Sequence, residues 1–540
     1  MNNKMPQSAG ISTFYLVTKK VLLSKIPFLL LIALTLFCLP FNGAGQTRKV
    51  NSPTPAAAQK SDQPVSMPYN RILVPAGKVI TYGSPQLENH ALDAVLIPGA
   101  PVLVVEDHTG LAFIQTKQKK VIFRLNLEKD PRYHKYLGTY SGLKVVKIKD
   151  SICVFWSIAN SGEKASYVVE AYWDGKTARI IRSFAFNREA PAKVALPNEV
   201  VIREENGTRY LYVVLNGNNQ VKKIRLADGK EMWTAATGAA PFGMVITGNK
   251  LFVTNWGGTL PNDTLKPQAG IPWGKIYIDP ATGAANNGSV SVIDCQGGHL
   301  VSHLRVGLHP NAILLSPDAK WAFVACGNSD NVFVINTLTN QVTDSISVRL
   351  SPVKDPYIGD SPDGLAISSD GTTLYVSNGM DNAVAVIKLS YSDRNHPQGV
   401  SAKLKGFIPT DAYPAGLQVD DHQLYVCNLE GEGASVKTAK GYNSHHQLAT
   451  VSIIPLPGRS RLRKDSRQVY SANLIQKAKR SLRAPRKGVA PQPIPERIGE
   501  PSVFSHVVYI IKENRTYDQV LGDMKEGNGD SSLCVFGARV

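Results

Sequence analysis

The sequence predicts an all-β protein. Its body reads as a seven-bladed β-propeller, followed by a helix, a Pro-rich linker and the first strand of an α/β domain. Three observations carry this reading. A strand–turn–strand unit recurs through the middle of the chain. Its aligned prolines, Pro197, Pro241, Pro310, Pro362 and Pro414, stand 44, 69, 52 and 52 residues apart. After the last unit the composition turns basic and then rich in proline.

The repeat is plainest where residues 309–326 (HPNAILLSPDAKWAFVAC) align with residues 361–378 (SPDGLAISSDGTTLYVSN). Each copy continues into a second alternating strand, residues 331–335 and 382–387. Shorter copies run over residues 240–255 and 413–428, and a looser one over 196–215. A period near 40–50 residues with strand alternation is the mark of propeller blades. Asp-Gly and Gly-Asn pairs supply the positive φ of tight hairpins. The 69-residue interval holds an insertion at 256–287, rich in Gly, Pro and Asn. Two degenerate units precede these, over residues 95–125 and 136–184, which brings the expected count to seven, with six or eight left open.

The units resemble the YVTN family of β-propeller repeats. The signature reads Phe252-Val-Thr-Asn255, Tyr375-Val-Ser-Asn378 and Tyr425-Val-Cys-Asn428, and the resemblance covers residues 190–455. The asparagines are expected to bond the turns that follow them. His309 and His422 read as ordinary surface or turn residues. Nothing in the repeats gathers histidines and carboxylates at ligand spacing. Nor is there a set of channel Glu, Asn and Asp ligands, or a stacking Trp, of the kind a lactone hydrolase or quinoprotein needs.

Bulk composition fits a folded soluble chain, with 43% hydrophobic and 19% charged residues over 540 positions. The net charge of +18 is concentrated between Arg459 and Lys487, so it reads as a solvated basic linker and not as a nucleic-acid surface. Lys19, Lys20 and Lys25 precede an apolar run at 26–41 and small residues at 42–46, the pattern of a signal peptide over residues 1–45. The protein is therefore expected in the periplasm or outside the cell, with no integral membrane domain after cleavage. A retained anchor is the competing reading. Of six cysteines, Cys38 leaves with the signal; Cys153, Cys295, Cys326, Cys427 and Cys534 remain, without CxxC spacing, which argues against a disulfide framework.

The expected propeller spans residues 70–455 and the basic helix and linker span 456–500. A single helix is predicted over residues 465–479, capped by Asp465 or Ser466, with Val469, Ala472 and Leu474 or Ile475 on one face. Five prolines between Pro485 and Pro501 then imply a stiff connection.

In the last segment, residues 501–540, an apolar run at 507–511 predicts a buried parallel strand ending abruptly in Lys512, Glu513, Asn514 and Arg515. Glu513 and Asn514 offer oxygen ligands to a hard divalent cation. The motif Lys512-Glu-Asn-Arg-Thr-Tyr-Asp518 closely resembles the first-strand motif of a phosphoesterase family that includes acid phosphatases and bacterial phospholipases C, within the alkaline-phosphatase-like superfamily. That resemblance implies Glu513 and Asn514 as metal ligands, a structural role for Asp518, a bound divalent metal ion and a phosphate-ester substrate. The nucleophile and the acidic metal ligands of such a domain are expected beyond residue 540. A hydrolase acting on phosphate esters, inactive as this polypeptide alone, is thus one expectation. The alternative is a non-catalytic propeller that binds a ligand or an envelope partner.

Overall fold

Short apolar segments alternating with turn residues fold here as four-stranded antiparallel sheets, and seven such blades form the β-propeller in this computed structural model. It describes residues 64–67, 71–271, 274–351, 359–393, 396–433, 446–509, 517–527, 529–535 and 537–539. The predicted signal peptide lies outside these residues. Among the described residues no helix is long and apolar enough to cross a membrane.

The first strands of blades 1 to 7 are Ala91–Leu96, Lys144–Ile148, Pro197–Glu205, Pro241–Thr247, Pro310–Leu315, Pro362–Ile367 and Ala412–Val419. They contact one another in order around the central channel. Burial is graded outward along each blade. The second strand of blade 5, Trp321–Cys326, is buried at every residue, whereas its outermost strand, Gln341–Ser347, alternates between exposed and half-buried apart from buried Ile346. A second strand packs on both faces against neighbouring blades; an outer strand packs on one. Blade 2 departs from the pattern with a fifth, two-residue strand and longer middle strands, Ser151–Ala159 and Ala165–Trp173. Its Trp173 stacks on Phe113 of blade 1, with centroids 4.1 Å apart and planes at 10°. Such a pair adds about 0.5–1.5 kcal/mol to the area it buries.

The ring is closed by a strand from the other end of the chain. Lys78–Tyr82 pairs antiparallel with Ala449–Pro455 and forms the outer edge of blade 7. Gly77 permits the approach: with φ +73°, it sits where a Cβ would meet the Ile453 carbonyl oxygen at 2.4 Å.

The repeated tetrapeptide is a structural device. Its third residue carries a hydroxyl in three blades. Thr254 Oγ1 accepts the Gly243 N–H of its own blade at 2.8 Å and donates to the Asn311 carbonyl of the next at 2.8 Å. Ser377 does the same between Gly364 and Ala415, and Ser157 donates to the Asn198 carbonyl at 2.8 Å. The fourth residue, Asn, closes the strand end. Asn255 donates to Ser289 Oγ and Ser291 Oγ at 3.0 Å, and Asn428 to Thr450 Oγ1 and Ser452 Oγ at 3.1 Å. The five cysteines are free, and Cys326 and Cys427 are fully buried small side chains.

Beyond the propeller the single helix expected over 465–479 is two. Arg459–Ala472 begins after Gly458, earlier than predicted, and Ile475–Ser481 follows a break at Leu474, whose φ is +56°. Packing explains both differences. Gly406 leaves room for Leu462 and Ser466 against the outer strand of blade 6, and Ser466 Oγ accepts the Phe407 N–H at 2.9 Å. Asp465 is buried and binds Arg461 Nε at 2.7 Å, so it serves inside the helix and not as its cap. Asn473 is held by the Asp381 carbonyl at 2.9 Å, where the chain turns.

The strand expected at 507–511 does not form at its described residues. Val507, Val508 and Tyr509 lie outside any sheet and are 84–85% exposed. A buried parallel strand needs pairing neighbours, and the described residues supply none there.

The latch hydroxyl gives a direct test. Thr254→Val leaves a buried N–H and a buried carbonyl unmatched. It should lower the unfolding free energy by roughly 1–3 kcal/mol in urea titration; an unchanged midpoint would contradict the latch.

Candidate ligand site at the channel mouth

One backbone frame recurs where each first strand begins. In blades 3 to 6 the residue before the first strand, and in blade 7 the second residue of that strand, lies in the left-handed region: Leu196, Ala240, His309, Ser361 and Tyr413 have φ of 49–54°. A side chain in that region costs about 1–2 kcal/mol. In four of these blades its carbonyl accepts the N–H that follows the second strand. The pairs are Asn216 to Leu196, Trp256 to Ala240, Gly327 to His309 and Gly379 to Ser361, at 2.8–3.0 Å. In blade 1 the corresponding bond runs from His108 N–H to the His90 carbonyl at 3.3 Å. Blades 1, 3 and 4 therefore present two side chains at these paired positions and blades 5 and 6, with Gly327 and Gly379, only one, and their identities differ from blade to blade.

Blades 4 and 5 form an aromatic wall. Trp256 stacks on Phe242 at 4.8 Å and on His309 at 4.9 Å, and half-exposed Tyr140 of blade 2 reaches the same indole at 6.4 Å. The indole Nε1 is buried without a hydrogen-bond partner among the described residues. His309 is thus no ordinary turn residue: burial lowers its pKa to about 4, so it is neutral near pH 7. Blades 6 and 7 add polar groups. Ser361 Oγ and Tyr413 Oη are 3.1 Å apart, and Asp363 accepts from Asn311 Nδ2. Burial pushes Asp363 up to about 7, against a hydrogen bond from Tyr413 that pulls it down.

Deeper in the channel, blades 1 to 3 bring charges together. Lys144 Nζ lies 2.7 Å from Glu199 Oε1, an ion pair close in distance but misaligned as a hydrogen bond. Asp93 is raised to about 6, by burial first and by Glu199 next, with Lys144 opposing. Burial alone would lower Lys144, but Glu199 and Asp93 outweigh it and raise its pKa. Behind them Glu106 occupies the latch position that a hydroxyl fills in blades 2, 4 and 6. It is fully buried, and burial, then the charge of Asp93, holds its pKa far above the usual range. The Thr139 amide that tempers this is committed to the Ser157 carbonyl. Asn198, next to Glu199, has both side-chain polar atoms buried and without a hydrogen-bond partner among the described residues.

The expectation that no histidines and carboxylates meet at ligand spacing is corrected by Glu88, His90 and His108. One ligand atom from each lies within 4.8 Å of the others. Pairing of Ala91 with Asp107 carries His90 and His108 to adjacent strand ends, a closeness that their 18-residue separation conceals. The convergence of Asp93, Glu199 and Asn198, and the stacked Trp256, were equally invisible as spacings. Only the position of Trp256 directly after the Phe252–Asn255 tetrapeptide could have marked it.

The sequence-predicted ligands Glu513 and Asn514 lie outside the described residues. Asp518 is described, on the short helix Tyr517–Leu521, where its carboxylate accepts the Asp530 N–H at 2.7 Å. His422 is an exposed turn residue.

No family model matches the sequence, and no curated protein is similar to it. Among solved structures it is similar to Kuenenia stuttgartiensis hydrazine synthase, with 16% identity and a TM-score of 0.45, over 65% of this chain and 95% of that one.

The channel carboxylates give a pH signature. Asp93 titrates at about 6 when folded against 3.8 in an unconstrained chain, so the folded state holds the proton more tightly. Its contribution to stability is lost as pH rises from about 4 to about 6. Asp93→Asn should be more stable than the parent at pH 7, with the gap closing below pH 4 in denaturant titrations. A gap that does not vary with pH would refute the assignment.

Proposed function

We propose that this protein is an exported, ligand-binding propeller that receives an oligosaccharide at the channel mouth. The observation that carries this is that the Tyr140–Phe242–Trp256–His309 wall and the Ser361, Asp363 and Tyr413 groups of blades 6 and 7 stand at or next to the starts of first strands around the channel. A sugar ring presents an apolar face to aromatic side chains and hydroxyls to carboxyl, amide and phenol groups, which is the chemistry of this lining. Unpaired Asn198 and the raised Asp93 and Asp363 extend the hydrogen-bonding capacity inward. Export rests on the basic and apolar leader at residues 19–46, and oligosaccharides are abundant outside the cytoplasm.

A second reading is phosphate-ester hydrolysis with a divalent metal at Glu513 and Asn514. It rests on the Lys512–Asp518 motif and its resemblance to the phosphoesterase family. Metal-dependent turnover of p-nitrophenyl phosphate that disappears in Glu513→Ala would favour it.

The binding reading is tested with immobilised cell-envelope oligosaccharides. The parent protein should be retained by at least one of them. Trp256→Ala and Asp363→Ala should each weaken that binding at least tenfold while keeping the parent's far-ultraviolet spectrum. Retention of none, or equal retention of the variants, would overturn it.

A further inference from the structure

We infer that Glu88, His90 and His108 form a binding site for a divalent transition metal of zinc's ligand class, set where blade 7 closes on blade 1. Two imidazoles and one carboxylate are the donor set of open, three-ligand zinc sites, which keep a fourth position for an exogenous oxygen.

The geometry fits this in four respects. First, His90 Nε2 and Glu88 Oε1 are 3.0 Å apart. Two ligands on a tetrahedral zinc at about 2.0–2.1 Å stand about 3.3 Å from each other. Second, His90 Nδ1 lies 2.8 Å from the Leu429 carbonyl. A carbonyl only accepts, so Nδ1 carries the hydrogen, and in the neutral ring Nε2 turns a lone pair toward the Glu88 carboxylate. Two such atoms at that distance share either a proton, as an ion pair, or a metal ion, and a carbonyl behind a ligating imidazole is the usual way its orientation is fixed. The Gln447 amide is 2.8 Å from the same Nδ1. Its Nε2 also donates to the Leu429 carbonyl at 3.3 Å, so amide, carbonyl and imidazole meet at one point behind the ring.

Third, neither ring nitrogen of His108 has a hydrogen-bond partner among the described residues, and Nδ1 is buried. Its ring stands edge-on to His90, with centroids 5.1 Å apart. Fourth, the segment that carries Glu88 and His90 is anchored. Asn89, fully buried, donates through Nδ2 to the carbonyls of Ser84, Leu87 and Gln447 at 2.8–2.9 Å. Ligands on a fixed backbone lose little freedom on binding a metal. Half-exposed Glu88 and His108 need move only to bring the 4.8 Å spread to coordination distance. Leu429 and Gln447 belong to blade 7 and its approach, whereas the ligands belong to blade 1, so a bound ion reinforces the seam of the ring.

The test uses the full chain carrying Glu513→Ala, so that the separate ligands predicted there contribute nothing. After chelator treatment, Co²⁺ is titrated while its visible ligand-field absorption is followed, and thermal unfolding is recorded with and without Zn²⁺. The protein should take up one Co²⁺, and Zn²⁺ should raise its midpoint. His90→Ala, His108→Ala and Glu88→Gln should each bind Co²⁺ at least tenfold more weakly and lose the Zn²⁺-dependent rise. Glu88→Gln, on a half-exposed side chain, keeps the comparison valid if a histidine variant folds poorly. No uptake by the stripped parent would overturn the proposal, leaving only a Glu88–His90 ion pair. Undiminished uptake by Glu88→Gln and His108→Ala would overturn it as well.

Discussion

The pairing of Lys78–Tyr82 with Ala449–Pro455 is the constraint on which the rest of the molecule depends. Seven blades with both faces apolar cannot stand in a row, because the two end blades would each leave a face open to water. Joining the outer edge of blade 7 to a strand that precedes blade 1 removes both ends at once. The same pairing positions the start of blade 1. The chain leaving that strand passes Asn89, whose amide is tied to the Gln447 carbonyl, and delivers His90 to the mouth beside Leu429. The mouth therefore exists as a ring only because the seam is shut.

Within the ring, repetition and variation divide the work. The positions that repeat are structural. Thr254, Ser377 and Ser157 latch one blade to the next, and Asn255 and Asn428 seal strand ends. The positions that vary sit on the same frame but face the channel. Glu106 stands where a latch hydroxyl is expected, and Trp256 stands where blades 5 and 6 have glycine. Departures from the repeat are thus where chemistry gathers: the aromatic wall at blades 4 and 5, the raised carboxyls of blades 1 and 6, the imidazole pair at blade 1.

The propeller was legible because its signal is local. Prolines about fifty residues apart, Asp-Gly turns and alternating strands each report on a single blade. The closing strand was not legible, since Lys78–Tyr82 is five ordinary β-forming residues whose partner lies at the far end of the repeats. His309 read as a turn residue because nothing in its neighbourhood shows that Trp256 will cover it. The helix at 459–472 was placed late because Leu462 is hidden among arginines, and its burial depends on Gly406 in a distant strand. The candidate ligands Glu88, His90 and His108 depend on strand register, which decides which ends become neighbours and which spacing alone does not reveal. Glu513 and Asn514 remain a reading of the motif.

The closed ring is tested most directly by locking the seam. Thr81 and Thr450 are paired across it. In the double variant Thr81→Cys, Thr450→Cys, the reduced and oxidised forms differ only in whether that pairing can open. Urea unfolding followed by both tryptophan fluorescence and far-ultraviolet circular dichroism compares them. If the seam holds the whole ring, oxidation should move both transitions together to higher denaturant. Oxidised and reduced protein unfolding at the same midpoint would contradict it.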